Sequence, residues 1–111
     1  MTEWVWISKA VMNYLELVKM LEEIRRNEAL RIITKVKGEH VDNVGAGIFF
    51  DLKQELENNV EIILKIFWDL ENRSFELIEI LSDGESKMEQ YKNHLIVKKQ
   101  LEHLNQAYST Q

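Results

Sequence analysis

The sequence predicts an all-α protein: an antiparallel helical bundle of three long helices, continuous or broken into four or five, paired as a dimer. Three observations carry this. From Phe49 to Leu81 apolar residues recur at steps of three and four, through Leu52, Leu56, Val60, Ile63, Phe67, Leu70 and Leu77, with Ser74 the one polar member of the series. That is the 3.6-residue period of a helix face. Proline is absent, and glycine occurs only at Gly38, Gly45, Gly47 and Gly84, which confines chain breakers to two places. Finally, Ser86-Lys87-Met88-Glu89 follows Asp83-Gly84 and has the S-x-x-E form of a helix capping box.

The first helix is expected over residues 3–37, with Ile7, Val11, Tyr14, Val18, Leu21 and Ile24 on its inward face and Thr2 as N-cap. Arg25-Arg26-Asn27-Glu28 is a polar interruption at which it could break. The β-branched piece Ile32-Ile33-Thr34-Lys35-Val36 reads as helix or as a short strand. A lone strand has no evident partner, which favours helix. Lys35 and Lys37 before Gly38 suit a helix C-terminus, where cations meet unpaired carbonyls. Glu39–Gly47 is the main loop, with turn formers at Asp42-Asn43 and Gly45-Ala46-Gly47.

The central helix then runs to Leu81, with Asn72-Arg73-Ser74 its weakest point. Between Val60 and Leu70 apolar residues wrap nearly all of it, leaving Glu61, Lys65 and Asp69 as a narrow polar seam. A helix apolar on most sides has to be covered on most sides. After the stop at Ser82-Asp83-Gly84, a third helix spans Ser86 to Ala107, directing Met88, Tyr91, Leu95, Val97, Leu101, Leu104 and Tyr108 inward; Ser109-Thr110-Gln111 frays. Two helices of about 34 residues extend roughly 50 Å and the third about 33 Å. One end of the long pair is then uncovered, and a second copy would cover it. The expected protein interface is therefore Val60, Ile62, Leu64, Ile66, Phe67 and Trp68 of the central helix, with Trp4 and Trp6 of the first.

Composition narrows function mostly by exclusion. The 111 residues suit one domain, 1–111, and 45% hydrophobic with 30% charged content suits a folded one. Without cysteine there is no disulfide, thiolate nucleophile or thiolate metal site, in keeping with a cytoplasmic protein. No apolar run approaches the roughly 18 residues of a membrane span, and the N-terminus lacks the basic lead of a signal peptide. Of the net −5, residues 41–83 hold ten acidic against three basic groups, a surface that repels phosphate backbones and disfavours nucleic acid.

No catalytic set, cofactor site or metal motif emerges. Lys37, Tyr91 and Gln100 precede His40, His94 and His103 by three residues, so the Glu-x-x-His of di-iron bundles never occurs. Neither G-x-S-x-G nor a phosphate-binding glycine loop is present. Carboxylates at Glu22-Glu23 and Glu76-x-x-Glu79 only partly resemble the E-E-x-x-E and E-x-x-D patterns of Mg²⁺-dependent all-α nucleotide pyrophosphohydrolases; the third acid of the first pattern is missing. The expectation is therefore a non-enzymatic protein-binding or regulatory module (adaptor, inhibitor or immunity-type). It would act through an apolar and acidic helical face, as a homodimer and on another protein, with no small-molecule ligand indicated. The alternative is a hydrolase of that Mg²⁺-dependent kind.

Overall fold

Side chains that alternate between two surroundings every second residue belong to strands, and Ile62, Leu64, Ile66 and Trp68 alternate with Glu61, Ile63, Lys65, Phe67 and Asp69 in this way. The structure is a computed structural model describing residues 2–34, 36–41 and 45–108, with side chains described except at 2–8, 37 and 38. A helix α1 (Thr2–Asn27) leads into strands β1 (Lys37–Val41), β2 (Ala46–Glu55), β3 (Glu61–Asp69), β4 (Ser74–Ser82) and β5 (Glu85–Ser86). Helices α2 (Met88–Tyr91) and α3 (Leu95–Tyr108) follow. The strands form one antiparallel sheet in the order β1-β2-β3-β4-β5.

Hairpin turns join the strands where the backbone can turn left-handed. Asn58 and Asn59 (φ 65° and 60°) lie between β2 and β3, Arg73 (φ 50°) between β3 and β4, and Asp83 and Gly84 (φ 53° and 79°) between β4 and β5. Such residues match the twist of the strands they connect. The register pairs Ile48 with Trp68, Phe50 with Ile66 and Leu52 with Leu64; Trp68 in turn pairs with Phe75 and Leu64 with Ile80. One sheet face is thereby apolar and fully covered, with Ile48, Ile62, Leu64, Trp68 and Ile80 at 0% exposure. Leu17 and Ile24 of α1 and Val97, Leu104 and Tyr108 of α3 close the core over it. Beyond β1, Ile32 bridges to Leu52, and Lys53 N–H donates to the Arg31 carbonyl at 2.8 Å, so residues 31–33 continue the covering of the β2 edge.

The all-α bundle is overturned by this sheet. Residues 48–81 are three strands rather than a central helix, because apolar residues stand on both strand faces. Phe49, Ile63 and Phe67 on the outer face fill in the alternation, and a strand apolar on both sides reads like a wrapped helix. The composition Ile-Phe-Phe and Ile-Ile-Leu-Lys-Ile-Phe-Trp, β-branched and aromatic, favoured strand all along. The Arg25–Glu28 interruption is the end of α1, not a kink. Ile32 forms an isolated antiparallel bridge to Leu52 after a turn at residues 29–31, and Gly38 lies within β1 rather than after a helix. The Glu39–Gly47 loop shrinks because Glu39–Val41 and Ala46–Gly47 are strand; Asp42 and Asn43 lie outside the described residues. Asn72–Arg73 is a turn.

The third helix is two, with Lys92–His94 between them. Its capping box is also absent: Ser86 belongs to β5 and donates to Glu79 Oε1 at 2.8 Å, while Lys87 is the N-cap, without a side-chain cap bond. Leu95, expected inward, is exposed. His94 begins α3 instead, its Nδ1 accepting from Ile96 N–H at 3.1 Å. An accepting Nδ1 leaves the proton on Nε2, which donates to Glu57 at 3.0 Å. That bond holds the Glu57 carboxyl below its ordinary value. The Thr2 side chain and residues 109–111 are outside what is described.

Candidate functional site

Helix α1 changes its apolar side halfway along. Successive helical residues turn by about 100°, so Leu15 and Leu17 stand about 160° apart. In the C-terminal half Leu17, Met20, Leu21 and Ile24 are buried against the sheet. In the N-terminal half Val11, Met12, Tyr14 and Leu15 are exposed, at 51%, 58%, 48% and 56%. The expected inward face therefore rotates: Val11 and Tyr14 point out, while Leu17 and Met20, absent from that face, point in. Toward the sheet the N-terminal half offers Lys9, Asn13 and Glu16. They line a shallow groove of about 280 Å³ together with Ala46, Leu70 and Arg73. Arg73 Nη2 meets Glu16 Oε2 at 2.8 Å and ties the helix to the β3–β4 turn. The stripe stops where charge begins, since Lys19, Glu22 and Arg26 are exposed one to three turns farther on.

A second groove of about 390 Å³ lies beside the first, lined by Glu16, Lys19, Met20, Glu23, Trp68 and Arg73. Trp68 Nε1 has no hydrogen-bond partner among the described residues, yet it is closed to solvent. A ligand in the groove cannot reach it without moving the core.

The buried polar cluster lies at the far end of α1. Glu28, 3% exposed, accepts from Tyr108 Oη at 2.8 Å, lies 3.3 Å from His103 Nε2 and pairs with Arg31 Nη2 at 3.0 Å. Arg31 also donates to Gln100 Oε1. Burial first, then the hydrogen bond to Glu28 and its negative charge, pushes the Tyr108 hydroxyl well above its ordinary 10.0. The set joins the end of α1 to α3, and neither groove beside α1 is lined by Glu28. Its chemistry is that of a latch.

The outer sheet face is mixed. Phe49 stacks on Phe67 at 4.5 Å, the two being cross-strand partners, but Asp51 and Lys65 pair beside them at 3.3 Å, and Lys53 meets Glu61 at 3.1 Å. An antiparallel sheet with one solvated face looks like this.

Of the residues expected at an interface, Ile62, Leu64, Ile66 and Trp68 lie in the core of a single chain, at 0% to 1% exposure. Val60 and Phe67 are half-buried. Trp4 and Trp6 belong to α1, and their side chains are outside the described set. The apolar wrap at 60–70 is thus accounted for within one copy and no longer argues for a partner. Val11 is expected inward and stands out, while Met12 and Leu15 belong to no expected face; the 1-2-5 spacing of the three against Leu17-Met20-Leu21-Ile24 is the signal that could have found them. The acids of the hydrolase pattern are separated: Glu22 and Glu23 lie on α1, Glu76 and Glu79 on β4. Among the described residues no group of three or more His, Cys, Asp or Glu is placed to hold a metal ion. No helix among them is long and apolar enough to cross a membrane. Comparisons with family models, curated proteins and solved structures find no match.

Proposed function

We propose that this chain is a non-enzymatic protein-binding module, of the adaptor, inhibitor or immunity kind, whose contact element is the N-terminal half of α1. One observation carries the reading: Val11, Met12, Tyr14 and Leu15 stand together in solvent on a helix that farther on buries Leu17, Met20, Leu21 and Ile24 against the sheet. Solvated apolar side chains grouped on one helix stripe mark interaction sites, and an amphipathic helix laid along a partner is a common mode of recognition. Cytoplasmic residence fits the cysteine-free composition.

The test is affinity capture with the full chain as bait, wild type against Val11→Glu/Leu15→Glu. Both positions face solvent, so the variant should melt like wild type. The reading requires that whatever protein the wild type retains be lost from the variant. Equal retention by both baits would remove α1 as the contact element.

A further inference from the structure

We infer that His94 is a proton-operated helix cap: the neutral ring holds the first turn of α3 closed, and protonation of the ring releases that turn. His94 immediately precedes α3, and its carbonyl accepts from Lys98 N–H at 3.0 Å. Its side chain stands where Ser, Thr, Asp or Asn is usual, with Nδ1 accepting from Ile96 N–H at 3.1 Å. The oxygens of those four residues accept at any pH near neutral. An imidazole accepts only while it is uncharged, because both nitrogens of the imidazolium are donors. Once protonated, Nδ1–H would point at Ile96 N–H, donor against donor. The ring would also place a positive charge at the positive end of the helix dipole.

The second nitrogen decides what protonation does to the ring itself. Nε2 donates to Glu57 at 3.0 Å, so His94 bridges the turn between β2 and β3 to the start of α3. That bond survives protonation and becomes charge-assisted on both sides. The charged ring therefore keeps Glu57 and gives up Ile96. Glu57 remains ionised in mild acid, since the His94 bond holds its carboxyl below the ordinary value. The other polar groups around the ring belong to α2 and α3. Tyr91 lies with its ring centroid 6.4 Å away, Lys92 is engaged with Glu89 at 3.2 Å, and Lys98 is exposed one turn along α3. Between about pH 5 and 8 histidine is the side chain that ordinarily changes charge.

The released turn carries apolar side chains with it. Tyr91 and Ile96, on either side of His94 in sequence, are partly buried against the core. Acid should loosen this junction while Val97, Leu104 and Tyr108 hold the rest of α3 down. The device operates whatever α1 binds.

NMR on the full chain from about pH 8 to about pH 5 tests it. At the upper end the 15N shifts of the His94 ring should report the Nε2–H tautomer. As the ring titrates, the Ile96 amide shift should follow the same curve. Protection of that amide against exchange, corrected for the intrinsic rate, should fall about fivefold. His94→Asn supplies an acceptor that does not titrate, so its Ile96 amide should stay protected across the range. In His94→Ala it should be poorly protected throughout. Glu57→Gln removes the charge that favours the imidazolium, so release should come at lower pH than in wild type.

A wild-type Ile96 amide indifferent to pH overturns the inference, as does a ring carrying its proton on Nδ1 at about pH 8. So does His94→Asn losing protection in acid as wild type does, which assigns the change to another group. The wild-type measurements need no substitution, so they decide the matter even where a variant fails to fold.

Discussion

Tyr108 and Gly47 show how single residues hold this fold. The Tyr108 hydroxyl reaches Glu28 at 2.8 Å in a nearly dry setting, and a hydrogen bond to a charged group is worth about 1.5–3 kcal/mol. Tyr108→Phe should lower unfolding free energy by about that amount in urea titration. The same residue predicts an alkaline limb. Its pKa is raised in the folded chain above the 10.0 of an unperturbed tyrosine, so the folded state keeps a proton that the unfolded state gives up. Stability is then complete below pH 10 and declines as pH climbs toward the folded value. Denaturant midpoints at a series of pH values from neutral upward should show this decline, and Tyr108→Phe should flatten it. Gly47 is a steric case. A Cβ there would run into the Phe67 ring and stand 2.5 Å from the Trp68 carbonyl oxygen. Gly47→Ala should cost about 1–3 kcal/mol and disturb the Phe49–Phe67 stack, read by denaturation and by aromatic-region NMR shifts. That Gly47 is a strand glycine under an aromatic ring, and not part of a turn, could not be seen before Phe67 was placed beside it.

The elements most exposed to error are the edges and ends. Over most of its length β4 has no strand beyond it, since β5 pairs only with Leu81 and Ser82. Its backbone is met instead by a side chain. Asn105 Oδ1 accepts from Phe75 N–H at 2.8 Å, and Asn105 Nδ2 donates to the Phe75 carbonyl at 3.4 Å. One amide on α3 thus takes the place of a neighbouring strand, a device that keeps an edge from pairing with other chains. Asn105→Leu keeps the branching at Cγ, loses both bonds to Phe75 and should destabilise by about 1–3 kcal/mol. Faster amide exchange at Phe75 than in wild type would locate the loss. The helices are the more legible elements: periodicity predicts α1, though as far as residue 37, and the glycine stop predicts a helix after Gly84, which the structure divides into α2 and α3. The strands were not, because Ile63 and Phe67 occupy outward positions where polar residues would have declared the two-residue period.

At the scale of the whole molecule, two buried layers and one uncovered stripe have different thermodynamic consequences. The core joins α1, the sheet and α3, with Leu17, Trp68 and Leu104 all at 0% exposure. Its cohesion is a property of one chain and independent of concentration. A partner protein seated on α1, as proposed, would add a term that follows mass action. The thermal midpoint of wild type should then rise as a captured partner is added, while that of Val11→Glu/Leu15→Glu stays fixed. An identical rise in both would place the contact elsewhere.

By itself the sequence determined what is local. A helical period from residue 3, read ten residues past its end at Asn27, a chain turn at Asp83-Gly84, the absence of disulfide chemistry and the acidic middle segment follow from residue types and their spacing over a turn or two. Which side of β3 is dry, which half of α1 is bare, and that Glu28 meets Tyr108 eighty residues away were decided by tertiary structure alone. The reason is physical. Apolar residues on both faces of a strand satisfy a helical and an extended period equally well within ten residues. Only the pairing of Ile48 with Trp68 and Leu64 with Ile80 across the sheet, with two helices laid over one of its faces, breaks the tie.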